Sequence, residues 1–84
     1  MTVDAEFPIP PSVVDVVAEL ARAREKFPDF NSAHEGYAVL LEEMDELWDE
    51  VKGHYGPERT AKMRKEAIQV AAMALRFIQD VCDR

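Results

Sequence analysis

Residues 66–81, Glu-Ala-Ile-Gln-Val-Ala-Ala-Met-Ala-Leu-Arg-Phe-Ile-Gln-Asp-Val, limit the possible folds more than any other stretch of the chain. At about 100° per residue, Ala67, Ile68, Ala71, Ala72, Ala74, Leu75, Ile78 and Val81 share one broad side of a helix. Val70, Met73 and Phe77 carry the apolar surface past a half-circle. A helix that is apolar nearly all round has to be covered on two sides. The rest of the chain can cover one of them. A second copy is the economical cover for the other, which predicts an all-α fold in which three-helix chains dimerise around a four-helix-type bundle core. The alanine-rich run 71–74 permits close helix approach.

Two further helices are expected upstream. Pro8, Pro10 and Pro11 remove backbone donors, so residues 1–11 read as a proline-containing arm ahead of a single domain over residues 12–84. Ser12 is the expected N-cap of a first helix over about residues 13–27. Its apolar stripe is Val13, Val14, Val16, Val17, Leu20, Ala21 and Phe27. Pro28-Asp29-Phe30-Asn31 breaks that helix. Ser32-Ala33-His34-Glu35 then has the spacing of a capping box, which starts a second helix over about residues 33–52. Gly36 in its first turns costs up to about 1 kcal/mol against alanine, a cost that close approach of a neighbour would explain. Gly53, Gly56 and Pro57 end the second helix, and the third runs over about residues 58–81.

Charge and cysteine content narrow the class of protein. A net charge of −7 argues against a general nucleic-acid binder, which draws its affinity from Lys and Arg on phosphates. Cys82 is the only cysteine, so no disulfide can staple the chain, and a lone thiol fits a reducing cytoplasm. No apolar run approaches the roughly 18 residues of a membrane span, and the N-terminus lacks the pattern of a signal peptide. The expectation is a cytoplasmic protein with no membrane partner. At 84 residues a single core supplies only a few kcal/mol, as in chains of about 70–80 residues, which again favours a homodimer or tetramer.

The second helix carries the candidate chemistry. Its apolar stripe, with Tyr37, Leu40, Leu41, Met44, Leu47, Trp48, Val51 and Tyr55 on one side, is kept while Glu42, Glu43, Asp45, Glu46, Asp49 and Glu50 crowd the other. Glu43, Glu46 and Glu50 fall at i, i+3 and i+7, on one flank. Such like charges repel by a few tenths of a kcal/mol per pair on an exposed helix, so they are either simply solvated or gathered around a cation. Glu66 sits at the apolar edge of the third helix, where a carboxylate is costly to bury unless paired or metal-bound. If helices two and three are antiparallel neighbours, Glu66 faces the flank of Glu43, Glu46 and Glu50. Carboxylates from two facing helices form the hard oxygen set that suits Mg2+ or Mn2+. The charge is also zoned: residues 32–53 hold seven acids against one lysine, whereas residues 59–65 hold four bases and no acid.

With these residues in view, the chain resembles the MazG-like all-α nucleoside triphosphate pyrophosphohydrolases, whose signature is EExxE on one helix and ExxD on the next. Glu42-Glu43-Met44-Asp45-Glu46 matches the first half, and Glu66-Ala67-Ile68-Gln69 matches the second except at its last position. The resemblance covers about residues 30–80. It implies that Glu43, Glu46 and Glu66 are metal ligands and catalytic groups, with Gln69 standing where an aspartate is expected. It also implies a Mg2+-dependent cleavage of a nucleoside triphosphate between its α and β phosphates, releasing nucleoside monophosphate and pyrophosphate. An amide oxygen at Gln69 can still coordinate a hard cation, but it brings no negative charge and accepts no proton. Glu50 is the auxiliary ligand expected to compensate.

The expected phosphate contacts are Lys62, Arg59 and Lys65, with Lys62 best placed because it lies one turn before Glu66. Ordinary helix-surface charge is the alternative for each. His34 and Trp48 are the further candidates for substrate contact, weighed against a structural role in the capping turn for His34 and in the core or an interface for Trp48. The competing overall reading is a non-catalytic helical module, with a degenerate metal site, that binds nucleotide or a partner protein.

Overall fold

The structure, a computed structural model, describes residues 8–53 and 55–84. Of the arm expected over residues 1–11, residues 1–7 lie outside the described residues. The chain is all-α: α1 (Pro11–Lys26), α2 (Ala33–Val51) and α3 (Arg59–Phe77), with α3 continuing into a π-helical turn (Ile78–Cys82). No strand occurs among the described residues. None of the described helices is long and apolar enough to cross a membrane.

α1 begins at Pro11, earlier than the expected Ser12 cap, and Pro10 is the capping residue. The reason is that proline at the first helical position gives up only a donor that the helix leaves unpaired anyway, and its fixed φ suits the helix. The Pro10 carbonyl accepts from Val13 N at 3.0 Å and from Val14 N at 3.3 Å. α2 starts where the capping box places it, with Ser32 Oγ accepting from Glu35 N at 3.1 Å. The Glu35 carboxylate reaches one residue further back than the motif implies: Asn31 N donates to it at 3.3 Å and Asn31 Nδ2 at 3.0 Å.

α3 is the central element, packing most extensively on α2 and also on α1. Its Ala72 and Met73 join Ala23 of α1 and Phe30 of the α1–α2 connection as the buried apolar core. Val16, Leu20, Val39, Leu40, Phe77 and Val81 pack around them. The core side of α1 is therefore set by Val16, Leu20 and Ala23, at helical spacing, while Ala21 and Phe27 of the expected stripe are exposed. Gly36 is buried because α2 meets aromatic rings there. A Cβ at this position would lie 2.7 Å from Phe77 Cδ2 and 3.1 Å from Phe30 Cδ2.

Phe30 is the largest fully buried side chain among the described residues, and a charged network fastens it to the end of α3. Phe30 N donates to Asp80 Oδ2 at 3.0 Å, and Arg24 of α1 donates to Asp80 Oδ1 at 2.9 Å. Arg76 lies 4.2 Å over the Phe30 ring and donates to Pro28 O at 2.8 Å. Burial pushes the Asp80 carboxyl up, but the Phe30 N–H and the Arg24 and Arg76 guanidiniums outweigh it and hold Asp80 below its usual range. α1, the α1–α2 connection and the end of α3 meet at this network.

The small core leaves apolar surface open. Tyr37, Leu41, Met44, Trp48 and Val51 of α2 are exposed, as are Val13, Val14 and Val17 of α1. The radius of gyration is 14.5 Å, against about 12 Å expected for a compact chain of this length.

Candidate metal centre

α2 and α3 bring three carboxylates together. Glu43 and Glu46 lie one turn apart on α2, so both side chains leave the same flank. Glu66 rises from α3 opposite them, because the sequence alternates a wide apolar surface with this single acid in the middle of the helix. Glu43, Glu46 and Glu66 each offer an oxygen, and these oxygens all lie within 4.8 Å of one another. Glu46 is exposed, whereas Glu43 and Glu66 are half-buried.

The electrostatics follow from that crowding. Glu43 Oε2 is buried with no hydrogen-bond partner among the described residues. Burial first, then the neighbouring Glu46, Glu66 and Glu42, push the Glu43 carboxyl up to about 7. Burial and Glu46 also raise Glu66, with Glu50 adding to the effect and the Lys65 ammonium opposing it. Three acids held this close are mutually destabilising as free carboxylates, and a hard cation relieves that repulsion.

The acids line a recess completed by Glu19 and Arg22 of α1 and by Lys65 and Gln69 of α3. Its four carboxylates and two cations leave a formal charge of −2 when all are ionised, the charge of one divalent counter-ion. Three carboxylate ligands with the buried, unpartnered Glu43 oxygen fit Mg2+ or Mn2+, which retain waters and share their remaining positions with phosphate oxygens.

The remaining candidates are placed as follows. Gln69 lies in the recess and against Glu19, which it helps to hold ionised. Glu50 acts on Glu66 through its charge and is not among the three converging carboxylates. Of the bases, Lys65 lines the recess and Lys62 does not; Lys62 Nζ lies 3.7 Å from Glu58 instead. Arg59 is turned to the α2–α3 connection, donating to Val51 O at 2.7 Å and lying 4.4 Å over the Tyr55 ring. His34 borders an apolar hollow with Tyr37, Leu41 and Phe77, apart from the acids. Trp48 belongs to the exposed apolar face of α2 and does not line the acidic recess.

Sequence reasoning missed Glu19 and Arg22. Their i, i+3 spacing and opposite charge are visible in α1, but only the packing of α1 on α3 shows that this polar face closes the recess. Compared with profiles of known families, with curated proteins and with solved structures, the chain matches none.

Proposed function

We propose that this chain is a divalent-metal-dependent hydrolase of nucleoside triphosphates, of the MazG-like kind, releasing nucleoside monophosphate and pyrophosphate. The observation that carries this reading is the convergence of Glu43, Glu46 and Glu66 within 4.8 Å, with one Glu43 oxygen buried and unpartnered. The EExxE spacing over Glu42–Glu46 supports it. Glu43 and Glu46 would hold the ion from α2 and Glu66 from α3. Bound there, Mg2+ or Mn2+ supplies Lewis-acid neutralisation of phosphate charge and a more acidic water. Glu43, poised near neutral pH, would give up its proton to serve as a ligand, and Lys65 balances Glu66 at the edge of the recess.

The exposed apolar surfaces support a dimeric or tetrameric assembly. Tyr37, Leu41, Met44 and Trp48 form a continuous face at helical spacing, which a second copy would cover. The same face favours the second reading, an interaction module that binds a partner protein without catalysis. Gln69, in place of a carboxylate, favours it too.

Pyrophosphate release from a panel of nucleoside triphosphates in Mg2+ tests the primary reading. Release that disappears in Glu43→Gln and Glu46→Gln, with the helical circular dichroism unchanged, is the expected result. A wild-type chain that is inactive on the whole panel and shows no thermal shift with Mg2+, Mn2+ or nucleotide supports the module.

A further inference from the structure

Three adjoining recesses meet over the packing of α1 on α3. One is the acidic recess of Glu43, Glu46 and Glu66. The second is a cavity of about 430 Å³ between α1, α2 and α3, with Phe27, Phe30, Val39 and Met73 among its walls. The third lies along α1 and α3 and includes Arg64 and Lys65. Glu19, Arg22 and Gln69 are the residues common to all three.

Within that trio the roles divide by burial. The Glu19 side chain is 14% exposed and the Arg22 side chain 50%, so Glu19 is the anchor and Arg22 the presented group. Arg22 Nε donates to Glu19 Oε2 at 2.9 Å, and Arg22 Nη2 donates to Glu19 Oε1. This fork uses two of the five guanidinium N–H donors and fixes the plane of the group. The others remain for a further acceptor. Glu19 is held in turn: the Gln69 side chain lies against it from α3 and favours its ionised form. Of the other cations nearby, Arg64 is paired with Asp15 at 2.7 Å, and Lys65 lines the recess on the Glu66 side with no fork to fix its ammonium.

We infer that Arg22 is the anion-binding residue of the acidic recess, held over it by Glu19 and Gln69, and that its ligand is the phosphate chain of a metal-bound polyphosphate. The inference rests on the metal-centre reading above and extends it to α1. It accounts for the amide at position 69. A carboxylate there would face Glu19 and repel it, loosening the fork that aims Arg22, whereas the amide can donate to Glu19. It also replaces Lys62 and Arg59 as the expected phosphate contacts, since both are turned to other partners. A planar guanidinium fixed in advance suits phosphate oxygens, because little side-chain freedom is left to lose on binding.

Isothermal titration of the intact chain, first with Mn2+ alone and then with inorganic triphosphate in saturating Mn2+, tests the assignment. In Arg22→Gln we expect Mn2+ affinity to stay within about twofold of wild type and triphosphate affinity to fall about tenfold, the loss of one charge-assisted contact. Arg22→Lys, which keeps the charge but not the fork, should recover part of that loss. Equal triphosphate affinity in wild type and Arg22→Gln overturns the inference alone. So does a variant that loses Mn2+ along with triphosphate, which would make Arg22 a support of the acids. A wild-type chain that binds no Mn2+ overturns the metal centre and this inference together.

Discussion

Glu43 of α2 and Glu66 of α3 face each other across the helix pair that forms most of the fold, and the Glu66 charge adds to burial and Glu46 in making Glu43 hard to ionise. The folded chain therefore holds a proton that the unfolded chain releases. Glu43 titrates at about 7 when folded and near 4.5 when unfolded, so its contribution is fully present below pH 4.5 and is lost as pH rises through 7. Glu66 has the same sign. Without divalent ions, stability should fall between pH 5 and pH 8 by on the order of 1–2 kcal/mol after solvent screening, and the melting temperature should fall with it. Glu43→Gln should flatten that slope and raise stability at pH 8. A melting temperature that climbs over the same interval in wild type would contradict the burial of Glu43.

Asp80 has the opposite linkage and a structural role. It is nearly inaccessible and accepts from both Phe30 N and Arg24. Asp80→Ala leaves the Phe30 N–H without its acceptor and removes the buried counter-charge beside Arg76, while Arg24 keeps Asp29 and Gln79, at a cost of roughly 2–4 kcal/mol in urea denaturation. Asp80→Asn keeps an acceptor for Phe30 and should cost less. A loss below about 0.5 kcal/mol for the alanine variant would show that the network does not hold the α1–α2 connection.

These two cases divide the residues that can be read in the sequence from those that cannot. The all-α class, the Ser32 cap and the meeting of Glu43, Glu46 and Glu66 follow from local periodicity, because each depends on spacing within one helix or on two helices joined by a short turn. Phe30, Arg76 and Asp80 do not. Phe30 is a lone apolar residue in a polar connection, and Arg76 and Asp80 are lone charges on an apolar helix; the burial of each depends on where the end of α3 meets a loop 50 residues away in sequence. Glu19 and Arg22 were hidden for the same reason, since the facing of α1 towards α2 is set by Val16, Leu20 and Ala23 packing on α3. The start of α1 differed because proline serves as a first helical residue as readily as it breaks a helix interior.

Gln69→Asp separates the metal from the phosphate side of the recess. The new carboxylate adds a charged ligand beside Glu66, so Mn2+ should bind several-fold more tightly. It also faces Glu19, so triphosphate in saturating Mn2+ should bind more weakly than to wild type. Gains in both affinities would mean that the amide is only a missing ligand.

Leu41 and Met44 lie at the centre of the uncovered α2 face, with exposures of 48% and 47%. In sedimentation equilibrium the wild-type chain should give at least twice its 9.6 kDa mass, and Leu41→Glu should return it to that mass by placing a charge in the buried patch. A wild-type monomer at high micromolar concentration would leave this face to a different partner.

Glu43, Glu46 and Glu66 are proposed to form one divalent-cation site. Titrating Mn2+ into the protein at pH 8 while following the electron paramagnetic resonance of the free ion measures it directly. Saturable binding is expected in wild type, weakened at least about tenfold by Glu46→Gln and by Glu66→Gln, each of which removes one charged ligand. Saturable binding that survives both substitutions, or none in wild type, would contradict it.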